Sequence, residues 1–178
     1  MLYFIADTHF SEENIIQYEN RPFENAGQMN EELIKRWNHV VKEEDEVYLL
    51  GDIGAEHQEA AIINQLTGRK FLVKGNHDRM SNQYYRDAGF TEVYDCPVII
   101  KNFWILSHEP LYVNTNMPYA NLFGHVHNSP TIKTFSNHHY CVSVERIHYT
   151  PISLDEIMLK IQENKELDIR SEAASKRK

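Results

Sequence analysis

The side chains best suited to chemistry in this sequence are acids, amides and imidazoles that directly follow short apolar runs. Asp7-Thr8-His9 follows Leu2–Ala6, Gly51-Asp52 follows Val47–Leu50, and Gly75-Asn76-His77-Asp78 comes one lysine after Phe71–Val73. Ser107-His108 follows Phe103–Leu106, and Gly124-His125-Val126-His127 follows Tyr119–Phe123. Imidazole, carboxylate and amide donors in this mixture suit borderline divalent ions, and imidazole also moves protons near neutral pH. Within Asp7-Thr8-His9, and again within His125-Val126-His127, side chains two apart share one side of an extended backbone, so each pair can face one ion. A single Asp or His after a strand is ordinarily a turn residue or a helix cap. Five such endings in 178 residues are hard to account for as turns.

Endings of this kind act together only if a scaffold sets them side by side. Strand-like runs alternate with amphipathic segments, which predicts an α/β protein. Helices are expected over about 28–42, where Met29, Leu33, Trp37 and Val40 make one apolar face, over Ala60–Leu66, near Asn82–Ala88 and over about 154–162. The last begins at the capping box Ser153-Leu154-Asp155-Glu156. Further strands are expected at Phe90–Tyr94, Pro97–Lys101 and Tyr140–Val144, with a long loop from Phe10 to Gly27. In open α/β sheets, ligands gather outside the carboxyl ends of the strands, which is where the five polar endings fall.

The chain is long enough for one domain with a sizeable core, placed at 1–165, ahead of a polar, basic tail at 166–178. The 42% hydrophobic and 25% charged composition is that of a globular protein, and the apolar runs are strand-sized rather than membrane-spanning. The opening MLYFIADTHF lacks the basic start of a signal peptide, so a cytoplasmic protein is expected, with Cys96 and Cys141 as buried thiols rather than a disulfide. A net charge of −8 argues against a broad basic face for duplex nucleic acid. It leaves room for a phosphate-bearing substrate, because bound divalent ions invert the local field. His39, His57, His148 and the pair His138-His139 read as surface or packing residues.

Taken in order, D-x-H, G-D-x-x, G-N-H-D, a lone His and G-H-x-H resemble the calcineurin-like metallophosphoesterases, and the motifs span residues 7–127. Small bacterial and phage phosphoesterases of that superfamily are similar in size and in the Arg21-Pro22-Phe23 loop. The resemblance implies a four-layer α/β/β/α sandwich of two mixed sheets flanked by helices. It implies two divalent transition-metal ions, manganese first, with iron, nickel or zinc as the other choices. Asp7, His9, Asp52 and His127 would hold one ion, and Asn76, His108 and His125 the other, with Asp52 shared. His77 would lie over the substrate as general acid, and Asp78 would orient it. The implied reaction is hydrolysis of a phosphodiester or small nucleotide-like phosphoester by hydroxide bridging the metals.

Where the protein-phosphatase branch carries an Asp-Arg pair after its second motif, this chain has Ile53-Gly54-Ala55-Glu56, which argues against a phosphoprotein substrate. Arg21 and Arg79 are candidates for a bidentate phosphate clamp, and a surface ion pair is the other reading of each. A phosphomonoesterase, a non-catalytic scaffold with the same fold, and a nuclease acting on short or single-stranded ends stay open as alternatives.

Overall fold

In the computed structural model, which describes residues 1–114, 116–134 and 136–163, the apolar runs become short strands. Among the described residues these are β1 (Leu2–Ile5), β2 (Glu46–Leu49), β3 (Arg69–Val73), β4 (Glu92–Tyr94), β5 (Val98–Ile100), β6 (Trp104–Leu106), β7 (Ala120–Phe123), β8 (His139–Cys141) and β9 (Ile152–Ser153). One sheet has the order β4-β3-β2-β1-β9 and the other β5-β6-β7-β8. Both are mixed: β1 to β4 are parallel with β9 reversed, and β6 to β8 are parallel with β5 reversed. Helices α1 (Glu13–Tyr18), α2 (Ala26–Val40), α3 (Glu59–Ile63), α4 (Asn82–Asp87) and α5 (154–163) flank the sheets, which is the expected sandwich.

The longest helix shows why the sequence folds this way. Asn25 caps α2 by accepting the Gln28 backbone N–H at 2.9 Å, and Met29, Leu33 and Trp37 line its buried face. Trp37 also donates its indole N–H to the Thr67 carbonyl at 2.9 Å, tying the helix to the turn before β3. The inner strands are covered on both faces: Val47, Tyr48 and Leu49 of β2 and all of β7 are buried. Each fully buried Leu or Ile there contributes roughly 1.5–3 kcal/mol relative to exposure. Before α5, Ser153 and Glu156 exchange backbone-to-side-chain hydrogen bonds at 3.0 and 3.2 Å, the predicted capping box.

Among the described residues three elements were not expected, one of them the 3-10 turn Val144–Arg146, which takes over the end of the strand expected at Tyr140–Val144. The segment between Phe10 and Gly27 contains α1, a single short turn-and-a-half whose adjacent Ile15 and Ile16 give no helical period. The two-residue β9 is too short to show alternation. The basic tail at 166–178 lies outside the described residues.

Parallel pairing has a direct consequence for the polar endings. Because β1, β2 and β3 run the same way, their carboxyl ends emerge at one edge, and the same holds for β6 and β7. The two edges meet where Ala6 bridges Ser143: Ala6 N–H donates to the Val142 carbonyl and Val144 N–H to the Ala6 carbonyl. The loops then zip in pairs. Asp7 N–H bonds the Gly51 carbonyl at 3.0 Å, His9 N–H the Asp52 carbonyl at 3.1 Å, and Gly124 N–H the His108 carbonyl at 2.8 Å.

Candidate metal centre

Five of the seven predicted metal-ligating residues sit in the left-handed backbone region: Asp7 (φ 57°), His9 (φ 48°), Asp52 (φ 56°), His125 (φ 67°) and His127 (φ 42°). Non-glycine residues held there each cost on the order of 1–3 kcal/mol, and such strain concentrates at functional sites. Here it turns each side chain sharply out of the strand that precedes it, toward the shared edge.

The glycines let the loops approach closely enough. A Cβ on Gly75 would lie 2.2 Å from Asp52 Oδ1 and 2.7 Å from the Asp52 backbone nitrogen. A Cβ on Gly124 would lie 2.4 Å from Ala6 Cβ and 2.7 Å from Asp7 Oδ2. Gly75→Ala is therefore expected to lower the stability of the metal-free protein by about 1–3 kcal/mol, as overpacking does. Urea unfolding reads this directly, and an unchanged midpoint would mean that the β2 and β3 loops can part without cost.

Two groups of donors result, each with all its ligand atoms within 4.8 Å of one another: Asp7, His9 and His127 in one, Asp52, His108 and His125 in the other. Asn76 joins the second, its Oδ1 lying 3.0 Å from both His108 Nε2 and His125 Nδ1. Asp52 Oδ2 lies 3.3 Å from His108 Nε2 and 3.8 Å from His9 Nε2, one histidine from each group. His108 Nδ1 sits 2.8 Å from the Leu50 carbonyl, so it donates there and the neutral ring turns Nε2 inward as a lone pair. His125 Nδ1 is 3.1 Å from that same Nε2. Both ring nitrogens of His9 are buried: Nε2 makes no hydrogen bond, and Nδ1 faces the Glu12 carboxylate at 3.1 Å. Nitrogen and oxygen donors converging beside the buried, unsatisfied His9 Nε2 fit a divalent cation centre in donor type and in layout.

The electrostatics agree. Burial alone would raise the Asp52 carboxyl, but the hydrogen bond and charge of His108, with the His77 N–H, bring it down to about 2. Burial disfavours charge on His108, yet Asp52 and Asp7 push it up to about 9. Asp7, fully enclosed, is raised by burial despite the nearby histidines. The carboxylates that favour a proton on His108 are those that would favour a cation beside it.

His77 stands at the mouth of this cluster. Its ring is exposed and meets the His9 ring edge-on at 5.2 Å, while its backbone N–H donates to Asp52 Oδ1 at 2.9 Å. Asp78 is placed differently from the expectation. Its buried carboxylate accepts the backbone N–H groups of Asp52 (2.8 Å), Ile53 (3.1 Å) and Gly75 (2.8 Å), and so faces the loops rather than the His77 ring. The carboxylate beside His77 is Glu12, which shares a group of ligand atoms within 4.8 Å with His9 and His77 and lies 3.1 Å from His9 Nδ1.

The phosphate-clamp reading of Arg21 needs correction. Its side chain is fully buried, paired with Glu145 at 2.7 Å, and it donates to the Thr8 and Asp7 carbonyls at 2.9 and 2.7 Å. No donor is left to face a substrate. Arg79 is exposed beside the site and makes no salt bridge among the described residues. Glu12 and Glu145, whose Oε1 lies 3.1 Å from His127 Nδ1, were missed by sequence reasoning. Glu145 falls 18 residues past the last motif and sits beside the Ala6–Ser143 bridge that brings its segment to the site.

Adjoining groups of Asp, His and Asn donors at the strand ends of a two-sheet sandwich are the layout of a metal-dependent hydrolase. The chain belongs to the calcineurin-like phosphoesterase family, whose profile matches residues 1–159. Members typically hydrolyse phosphoesters with the help of two divalent metal ions, and the donor groups described here could hold metal. The chain is 35% identical over 177 residues to the uncharacterized protein MJ1445 of Methanocaldococcus jannaschii, covering 92% of this chain and 93% of that one. It is 31% identical over 81 residues to the gene 66 protein of Mycobacterium phage L5, covering 43% of this chain and 39% of the phage protein. Its fold resembles the crystal structure of AQ665 from Aquifex aeolicus, a protein of unknown function, with a TM-score of 0.68 and 28% identity over 90% of this chain and 99% of that one. Among the described residues, no helix is long and apolar enough to cross a membrane.

Proposed function

We propose that this chain is a cytoplasmic phosphodiesterase that hydrolyses a small, nucleotide-like phosphoester at a dinuclear centre carried by one domain over 1–165. The observation that carries the reading is the pair of adjoining donor groups with Asp52 within 3.8 Å of a histidine from each. Asp7, His9 and His127 would hold one divalent ion and Asn76, His108 and His125 the other, with Asp52 shared. Manganese is favoured, with iron, nickel or zinc as alternatives, because the donor set mixes imidazole, carboxylate and amide and contains no thiolate. Two such ions supply Lewis acidity that activates water and stabilises charge at phosphorus.

The chain's own residues do the rest. The exposed His77 ring is placed to give a proton to the departing oxygen, with the Glu12 carboxylate beside it. Arg79, which makes no salt bridge among the described residues, is the remaining candidate for a phosphate contact. A diester is favoured over a monoester because Arg21, the second would-be clamp, is committed to Glu145 and to backbone carbonyls. The two free thiols, Cys96 exposed and Cys141 buried, suit a reducing compartment.

The test compares an aryl phosphodiester with its monoester, using metal-stripped protein and Mn²⁺ added back. Turnover is expected only with metal, and faster on the diester. A faster monoester would overturn the diester preference. Protein that takes up no metal and turns over neither substrate would favour the scaffold reading.

A further inference from the structure

The ring of His127, a predicted ligand, is met from behind by a buried charge. Glu145 lies in the 3-10 turn Val144–Arg146, and this turn is joined to β1 by the Val144 N–H to Ala6 carbonyl bond. Its side chain is only 1% exposed, and Oε1 lies 3.1 Å from His127 Nδ1. The same oxygen accepts Arg21 Nε at 2.9 Å and Nη2 at 2.7 Å. Arg21 in turn holds the carbonyls of Asp7 and Thr8 at 2.7 and 2.9 Å, inside the left-handed turn that carries Asp7 and His9. One buried ion pair therefore touches the backbone that presents two members of the first donor group and the ring of the third. The half-buried Glu19 also comes within 4.8 Å of His127 and Glu145, but among the described residues no arginine pairs with it.

We propose that Glu145, held by Arg21, is the positioning residue for His127. By taking the Nδ1–H it selects the tautomer whose Nε2 carries a lone pair, and it aims that lone pair at the Asp7–His9 group. Carboxylates behind metal-bound histidines act in this way, and their removal typically weakens metal affinity by 10–100-fold. The assignment rests on the metal-centre reading above, and it concerns affinity at one of the two positions.

Two experiments test it. In zinc-loaded parent protein, long-range ¹H–¹⁵N correlations should show His127 with its proton on Nδ1. A proton on Nε2 overturns the assignment without any substitution. In competition against a chelator, Glu145→Ala should lose the equivalent bound by Asp7, His9 and His127 about 10–100-fold more readily than the parent and leave the other unchanged. Glu145→Gln, which keeps an oxygen for the Nδ1–H, should fall between the two. Should the Ala variant fail to fold because Arg21 is left buried and unpaired, Glu145→Gln and the tautomer measurement still decide the matter. Parent protein that binds two equivalents beside an unaffected Glu145→Ala overturns this assignment alone. Parent protein that binds no metal overturns the metal-centre reading, and the assignment with it.

Discussion

His77→Ala should fold, take up metal as the parent does, and lose turnover by about 10²–10⁴-fold, the range of general-acid catalysis. Each part of this expectation has its own structural basis. The ring is exposed, so its removal opens no cavity in the core. The residue's contribution to the Asp52 carboxylate comes from its backbone N–H at 2.9 Å, which alanine retains. Its ring nitrogens belong to neither principal donor group, although the ring touches His9 at 5.2 Å between centroids. Metal content by elemental analysis and kcat on an activated and a poorly activated diester check the prediction together. An acid matters most for the poorer leaving group, so the loss should be larger there. Metal-free mutant protein would instead make His77 a ligand, and the division between ligand and acid would be wrong.

Much of the site was legible because its logic is local. Asp7-Thr8-His9, Gly51-Asp52, Gly75-Asn76-His77 and His125-Val126-His127 each combine a strand end with polar donors; parallel pairing of β1, β2 and β3 delivers the first three to one edge, and the last leaves the matching edge of the β6–β7 pair. The helical period of Met29, Leu33 and Trp37 placed α2 for the same reason: each turn repeats the same physical demand. What the sequence withheld depends on partners far apart in the chain. Arg21 read as a phosphate clamp or a surface ion pair because Glu145, 124 residues away, becomes its neighbour only when the two sheets join. Asp78 looked like a partner for His77 because the two are adjacent in sequence. Adjacency says little about direction: the turn after Gly75 sends the carboxylate inward and leaves the imidazole at the surface.

Asp78→Ala should therefore have a very different signature from His77→Ala, although the residues are neighbours. The Asp78 carboxylate accepts three backbone N–H groups, from Asp52 and Ile53 after β2 and from Gly75 after β3. Burial pushes its pKa up, and the donors from Gly75, Ile53 and Asp52 only partly offset that cost. Removing it strands donors on two loops, at about 1–3 kcal/mol for each one that water cannot reach. A loss of about 3–5 kcal/mol in metal-free stability is expected, comparable to breaking a buried charged network. Those loops carry Asp52 and Asn76, so metal retention should weaken along with stability. Asp78→Asn should be milder, because one oxygen can still accept while the amide faces a donor. Urea unfolding of metal-free protein separates the two possible roles. If Asp78→Ala matched the parent in stability and metal content and lost only turnover, Asp78 would be acting through His77, as its place in the sequence suggests. A double-mutant cycle sharpens the contrast. With His77 already alanine, the stability cost of Asp78→Ala should be undiminished, because the carboxylate holds the loops and not the ring.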